Sequence, residues 1–274
     1  MRLLTVRNEG ATRAGRLDDG VVTLLPYSDV GALLADPNWS AAATSAAGYP
    51  QIALDEVSFA PLVITPPKIV CVGANYLTHV QEMGVAPRQH PTLFAKYALC
   101  LIGARDDLVM PRASTSLDWE AELCVVIGRA GRDVPVERAL EHVAGYTVLN
   151  DVSARDWQMR TSQFLQGKTF EATTPVGPWL VTPDELPVGC KGLEIKCEVD
   201  GTIVQKDQIE NMIFDVATIV AYISQIITLQ PGDLIATGTT SGVGVSRTPL
   251  VFLKPGQTVR TTIESIGELV NLCV

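Results

Sequence analysis

The stretch Asp118-Trp119-Glu120-Ala121-Glu122-Leu123-Cys124-Val125-Val126-Ile127-Gly128 reads as a strand. Side chains two apart on a strand share a face, so Glu120 and Glu122 project together while Trp119, Ala121 and Leu123 project the other way. Residues 123–127 are apolar without alternation, as in a strand buried on both faces. Two carboxylates side by side repel, and burial raises at least one pKa unless a cation lies between them. A hard divalent ion such as Mg²⁺ takes oxygen ligands and keeps positions open for water and substrate. The same spacing also suits a solvated edge strand with two surface glutamates.

Downstream, Gly145-Tyr146-Thr147-Val148-Leu149-Asn150-Asp151-Val152-Ser153-Ala154-Arg155-Asp156 reads as a strand ending at Asn150 in a polar cluster, with carboxylates at Asp151 and Asp156. A third carboxylate there would complete an oxygen set with Glu120 and Glu122. An Asx-type turn closing the strand is the alternative. Upstream, a strand over 68–72 leads into Gly73-Ala74-Asn75-Tyr76-Leu77-Thr78-His79-Val80-Gln81-Glu82. A short helix there puts His79 and Glu82 on one face. A glutamate bonded to one imidazole nitrogen raises the basicity of the other, as a water-activating base requires, although a histidine satisfied within its own helix fits equally. The other two histidines, His90 in a proline-rich loop and His142 in a charged helix, are poorer candidates.

Gln166-Gly167-Lys168-Thr169 invites comparison with a phosphate-binding loop, but Ser162 stands where the first glycine is required. Lys168 remains a candidate cation for an oxyanion, or a surface lysine. The segment 229–244 ends in a glycine-rich run, Gly238-Thr239-Thr240-Ser241-Gly242-Val243-Gly244, whose spacing fails as a dinucleotide fingerprint. It suits a loop lining a carboxylate pocket or an ordinary tight turn.

The remaining pattern sets the fold class. Further short strands are expected over 179–182, 193–199, 234–237 and 259–263, with a hairpin turn at Asp200-Gly201. Helices are expected over 136–142 and 214–227. Strands outnumber helices and do not alternate with them, which favours α+β over a doubly wound sheet. Residues 1–25 carry turn signals at Glu9-Gly10 and Asp18-Asp19-Gly20, as a small sheet would, and 37–50 suit a short helix and loop. A proline-punctuated connector places a boundary near Pro67, giving a small N-terminal domain over 1–66 and a larger one over 67–274.

Composition narrows the function. Among 274 residues, 47% are hydrophobic, and 21 basic against 30 acidic residues give a net charge of −9. Mean hydropathy is +0.21. A substantial core is expected, and a nucleic-acid partner is not, since such binding rests on neutralising phosphates. The longest apolar stretches, such as 219–229, fall well below the ~18 residues of a membrane span. Six cysteines (Cys71, Cys100, Cys124, Cys190, Cys197, Cys273) form no C-x-x-C pair and read as reduced thiols. With no signal peptide apparent, a cytoplasmic location is expected.

Taken together, these segments resemble the fumarylacetoacetate hydrolase family, in its acylpyruvate hydrolase and 2-hydroxyhepta-2,4-diene-1,7-dioate isomerase-like branch. The resemblance spans roughly 67–274 and rests on ordered motifs: G-x-N-Y-x-x-H-x-x-E, D-x-E-x-E, G-Y-T-V-x-N-D-V-S-A-R-D-x-Q, G-K, P-x-G-P-W and P-G-D-x-I-x-T-G-T-x-x-G-V-G. It implies a mainly β, mixed β-roll with packed helices, preceded by a small N-terminal α/β domain and assembled as a homodimer. It implies Glu120, Glu122 and Asp151 as ligands of Mg²⁺, or of Mn²⁺ or Ca²⁺. His79 and Glu82 match the family's water-activating dyad, and Lys168 its oxyanion-stabilising lysine. Arg155, Gln158, Thr239, Gly238 and Tyr76 fall at substrate-binding positions, and 83–92 corresponds to a lid. Two departures sit where specificity is set. Tyr97 follows Phe94-Ala95-Lys96 where proline is frequent, and Thr240 follows Thr237-Gly238-Thr239 where proline is also frequent.

The implied reaction is metal-dependent hydrolysis of a C–C bond in a 2,4-dioxo acid such as fumarylpyruvate or acetylpyruvate. His79 and Glu82 would activate water, and pyruvate and a carboxylic acid would leave. The same residues would serve isomerisation or tautomerisation of an enol acid, or decarboxylation of oxaloacetate. A protein in which the carboxylates merely hold a stabilising ion is the third reading.

Overall fold

The computed structural model describes residues 1–45 and 48–274. Its centre is the strand Ala121–Ile127, every residue of which is buried. The period of two is visible in its surroundings. Leu123, Val125 and Ile127 enter one hydrophobic core, and Cys124 and Val126 enter the second. The flanking strands Val143–Asn150 and Leu234–Thr239 are buried along their whole length. The unbroken apolar runs thus mark strands covered on both faces.

These three strands lie in a 12-stranded mixed sheet. Its main path runs Gln51–Ala53, Val21–Leu24, Ala11–Asp18, Arg2–Asn8, Thr174–Val181, Val143–Asn150, Ala121–Ile127, Leu234–Thr239, Ile69–Gly73, Thr92–Lys96. Most neighbours are antiparallel, and Leu234–Thr239 runs parallel to Ile69–Gly73. A separate four-stranded antiparallel sheet is ordered Thr202–Gln208, Glu194–Val199, Thr258–Ile263, Gly267–Leu272. Its inward residues Ile195, Cys197, Val259 and Ile263 share the first core with the helix Val216–Ile226. Asp215 caps that helix by accepting the Thr218 N–H at 3.0 Å. The result is a mainly β, mixed-sheet α+β fold with packed helices.

Local differences from the sequence reading have physical causes. Residues 136–142 form a 3₁₀ helix. The strand expected over 179–182 begins at Thr174, running through Pro175 and Pro178. A proline cannot donate to a ladder, and the pairing with Val143–Asn150 shifts register between Tyr146 and Val148, where an irregular ladder tolerates it. The hairpin turn at Asp200-Gly201 forms as read, with both residues at positive φ (50° and 77°). Strand pairing continues across position 67, because Arg2 and Leu3 pair with Val181 and Leu180. Within 37–50, a helix spans Trp39–Thr44, while residues 46 and 47 lie outside the described residues. All six cysteines are buried and unpaired. No helix among the described residues is long and apolar enough to cross a membrane.

Candidate active site

Antiparallel pairing brings the three acidic residues together. Ala121 lies opposite Asn150, so the residue after Asn150 meets the residue before Ala121, and the Asp151 N–H donates to the Glu120 carbonyl at 2.9 Å. Carboxylate oxygens of Glu120, Glu122 and Asp151 lie within 4.8 Å of one another, and all three residues are buried. Burial removes the edge-strand reading of the two glutamates. Both Asp151 oxygens accept from lysines, so its side chain does not close an Asx turn.

Cations surround this cluster. Lys168 Nζ stands 2.5 Å from Glu120 Oε2 and 2.8 Å from Asp151 Oδ2. Arg155 Nη2 stands 2.6 Å from Glu120 Oε1, and its Nε donates to Asp118 Oδ2 at 2.8 Å. Burial pushes the Glu120 carboxyl up, but Lys168 and Arg155 outweigh it and hold the pKa at about 2. Glu122 makes no ion pair among the described residues. Burial, then the charges of Asp151 and Glu120, drive its pKa well above the ordinary range, and Lys168 and the Gly238 N–H at 2.8 Å offset only part of this. Three enclosed carboxylates, one of them unmatched by a cation, form an oxygen donor set that suits a hard divalent ion.

His79, buried on the helix Leu77–Glu82, faces the same space. Its Nδ1 has no hydrogen-bond partner among the described residues and stands 3.5 Å from Glu82 Oε2. The Glu82 carboxylate accepts the Gly242 N–H at 3.0 Å. Burial lowers the His79 pKa, and Arg155 adds to this, against the opposing charges of Glu120 and Glu82. The ring is therefore neutral near pH 7 and able to take a proton.

A cavity of about 490 Å³ opens onto these groups. Glu120, Glu122, His79, Arg155, Gln158, Lys168 and Thr239 all line it, and its outer wall is apolar, with Met83, Val85, Phe94, Met159 and Phe164. Arg155 Nη1 donates to Gln158 Oε1 at 2.8 Å. The Thr239 hydroxyl is already engaged, donating to the Ala121 carbonyl and accepting from Gln205 Nε2, each at 2.9 Å.

Two residues expected at substrate-binding positions lie off the cavity lining. Tyr76 is fully enclosed and lies outside the cavity lining, because the bridge between Tyr76 and Met212 draws it into the core ahead of the helix. Gly238 also lies outside the lining. Its N–H holds Glu122, and a Cβ there, at φ +99°, would sit 2.7 Å from Asn75 Cβ and 2.8 Å from the Val72 carbonyl.

Other residues escape the motif reading. Lys96 is fully enclosed, and its Nζ donates to Asp151 Oδ1 at 2.6 Å and to the Lys168 carbonyl. Asp118 anchors Arg155 and accepts the N–H groups of Gly244 (2.6 Å) and Val245 (3.0 Å). A lysine closing the apolar strand Thr92–Lys96 was the available signal for the first. The aspartate that opens D-x-E-x-E was the signal for the second.

Residues 68–274 match the sequence model of the fumarylacetoacetate (FAA) hydrolase C-terminal family. The chain belongs to the fumarylacetoacetate hydrolase family. Human mitochondrial oxaloacetate tautomerase FAHD2A is 45% identical over 231 residues, covering 84% of this chain and 73% of that protein. The crystal structure of 5-carboxymethyl-2-hydroxymuconate delta-isomerase from Mycobacterium smegmatis superposes with a TM-score of 0.83 at 31% identity, covering 100% of this chain and 99% of that one. Maleylpyruvate hydrolase from Sphingobium sp. SYK-6 gives a TM-score of 0.82 at 27% identity, with coverage of 100% and 99%. In this member of the family His79, Glu120, Glu122 and Lys168 line one cavity, and its relatives include isomerases and a hydrolase.

Proposed function

We propose that this enzyme is a divalent-metal-dependent tautomerase of 2-keto acids, interconverting enol and keto forms of a substrate of the oxaloacetate class. The carrying observation is an enclosed His79 facing the same cavity as Glu120 and Glu122 of the acidic cluster, in a chain 45% identical to an oxaloacetate tautomerase. Glu120, Glu122 and Asp151 would hold the ion, Mg²⁺ by their all-oxygen chemistry, with Mn²⁺ or Ca²⁺ as substitutes. When bound, the ion supplies Lewis-acid stabilisation of negative charge on the keto-acid oxygens.

The chain's own residues do the rest. His79 Nδ1 or Nε2 accepts the proton of the C2 hydroxyl of the enol, and the imidazolium, steadied by Glu82, returns a proton to C3. The net change is one proton moved from oxygen to carbon. Lys168 holds charge on the oxygen while the proton is in transit. Arg155 and Gln158 orient the carboxylate end, and the apolar wall excludes water from the transfer. The test follows decay of enol absorbance of oxaloacetate with Mg²⁺, Mn²⁺ or EDTA. A rate no faster than the buffer rate in all three overturns the reading.

Hydrolysis of an acylpyruvate is the second reading, favoured by the likeness to maleylpyruvate hydrolase. Here His79 takes a proton from water, which attacks the distal carbonyl, and Lys168 faces the resulting oxyanion. Appearance of pyruvate and a free carboxylic acid from acetylpyruvate or fumarylpyruvate would decide for it.

A further inference from the structure

The helix that carries His79 is too short to hold itself in place. Leu77–Glu82 spans six residues, and its N-cap, Tyr76, makes no side-chain capping bond. Isolated helices below about 12 residues are marginal in water, so tertiary contacts must fix this one. The polar contacts converge on one carboxylate. Thr78, the residue before His79, donates to Asp207 Oδ2 at 2.6 Å. Thr240, fully buried just past the strand Leu234–Thr239, donates to the same oxygen at 2.6 Å. The two hydroxyls lie 3.3 Å apart. Asp207 is itself fixed, since Oδ1 accepts from Asn211 Nδ2 at 2.6 Å and from the Gln208 N–H at 2.8 Å.

Asp207 lies on Thr202–Gln208, an edge strand of the four-stranded sheet, so it ties that sheet to the helix and to the glycine-rich loop. At the helix's other end, Glu82 accepts the Gly242 N–H, two residues beyond Thr240. The helix is thus pinned to the 240–242 loop at both ends.

We infer that Asp207 is a positioning residue that, through Thr78 and Thr240, holds the helix Leu77–Glu82 so that His79 faces the acidic cluster. The inference rests on His79 and Glu82 being the proton-transfer pair. Displacement of a reacting group by about 1 Å can cost about 10²-fold in rate.

Because Asp207→Ala exposes several donors at once and can unfold the sheet edge, the test uses Thr78→Val and Thr240→Val, with Thr78→Ser as the conservative rescue. Three quantities are read: amide hydrogen exchange across 77–83, Mn²⁺ affinity from the free-ion EPR signal, and kcat for oxaloacetate enol decay. Faster exchange at 77–83, a kcat about 10- to 100-fold lower, unchanged Mn²⁺ affinity, and recovery in Thr78→Ser support the inference. Unchanged exchange in the Thr78→Val/Thr240→Val double variant overturns it, as does parallel loss of Mn²⁺ binding and rate. Full kcat in the double variant while His79→Ala is inactive also overturns it. Full kcat in His79→Ala instead overturns the assignment of the dyad.

Discussion

Lys96 and Asp151 form an ion pair with no solvent exposure on either side chain, Nζ to Oδ1 at 2.6 Å. Lys168 holds the other oxygen of the same carboxylate. Asp151 is therefore gripped from two directions, and its carboxylate cannot rotate without breaking a buried charge contact. Burial acts to lower the Lys96 pKa, but the Asp151 charge outweighs it and the ammonium stays protonated.

Replacing Lys96 by Met leaves Asp151 with one cation and strips the Lys168 carbonyl of a donor. Removing one partner of a buried pair costs about 3–5 kcal/mol, because the remaining charge stays enclosed. Urea denaturation should show a loss of that order for Lys96→Met, with weakened divalent-ion binding. A variant as stable as the parent would mean that Asp151 is solvated in solution.

Glu122 gives the opposite sign. Asp151 and Glu120 stand beside it in the same enclosure, and no side-chain cation contacts it. In EDTA, Glu122→Gln removes a carboxyl that must either stay charged beside Asp151 and Glu120 or take up a proton on folding, while the carboxamide oxygen still accepts the Gly238 N–H. The metal-free variant should melt higher than the metal-free parent. With Mg²⁺ the order reverses, because an ion at 100-fold its Kd stabilises the parent by about 2.7 kcal/mol. If Mg²⁺ raises the Tm of parent and variant equally, the cluster does not hold the ion.

The pH profile follows from His79. Its neutral ring is the competent acceptor, and its pKa lies below the ordinary 6.5, with burial as the largest cause. Protonation is centred on that lowered value. The acidic limb of the rate should therefore be centred below pH 6.5. An acidic limb centred above 6.5 would argue against His79 as the base. His79→Ala should lose about 10²–10⁴ in kcat, while metal-induced stabilisation persists.

How much of this was legible in sequence depends on separation along the chain and on local periodicity. Glu120 and Glu122 were readable because a strand's period of two is a local property. Asp151 was readable because it ends the neighbouring strand, and one antiparallel register suffices to deliver it. The clamp at Asp207 was invisible: its partners lie 129 and 33 residues away, and it comes from a different sheet. Lys96 was hidden by its type, since a lone lysine is usually exposed, and only the finished fold encloses it. That Tyr76 and Gly238 lie off the cavity lining was hidden for a related reason. A motif marks residues needed near a site without separating those that touch the cavity from those that shape its walls.

Gly167 shows how a wall residue can matter as much as a lining one. It lies on the short helix Leu165–Lys168, directly before the lysine that faces Glu120 and Asp151. An added Cβ would stand 2.5 Å from both Cβ and backbone N of Gln158, and 2.6 Å from the Ala154 carbonyl. Two of those three atoms are backbone, on the segment that also presents Arg155, so neither side can yield cheaply. Gly167→Ala must push the helix Leu165–Lys168 away from Arg155–Gln158. Overpacking of this kind costs about 1–3 kcal/mol, and the displacement moves Lys168 off both carboxylates at once. The expected result is a folded protein, lower in Tm, whose kcat falls more steeply than its KM rises, because the lysine's contact is needed as charge develops. A raised KM with kcat unchanged would place Lys168 in ground-state binding instead.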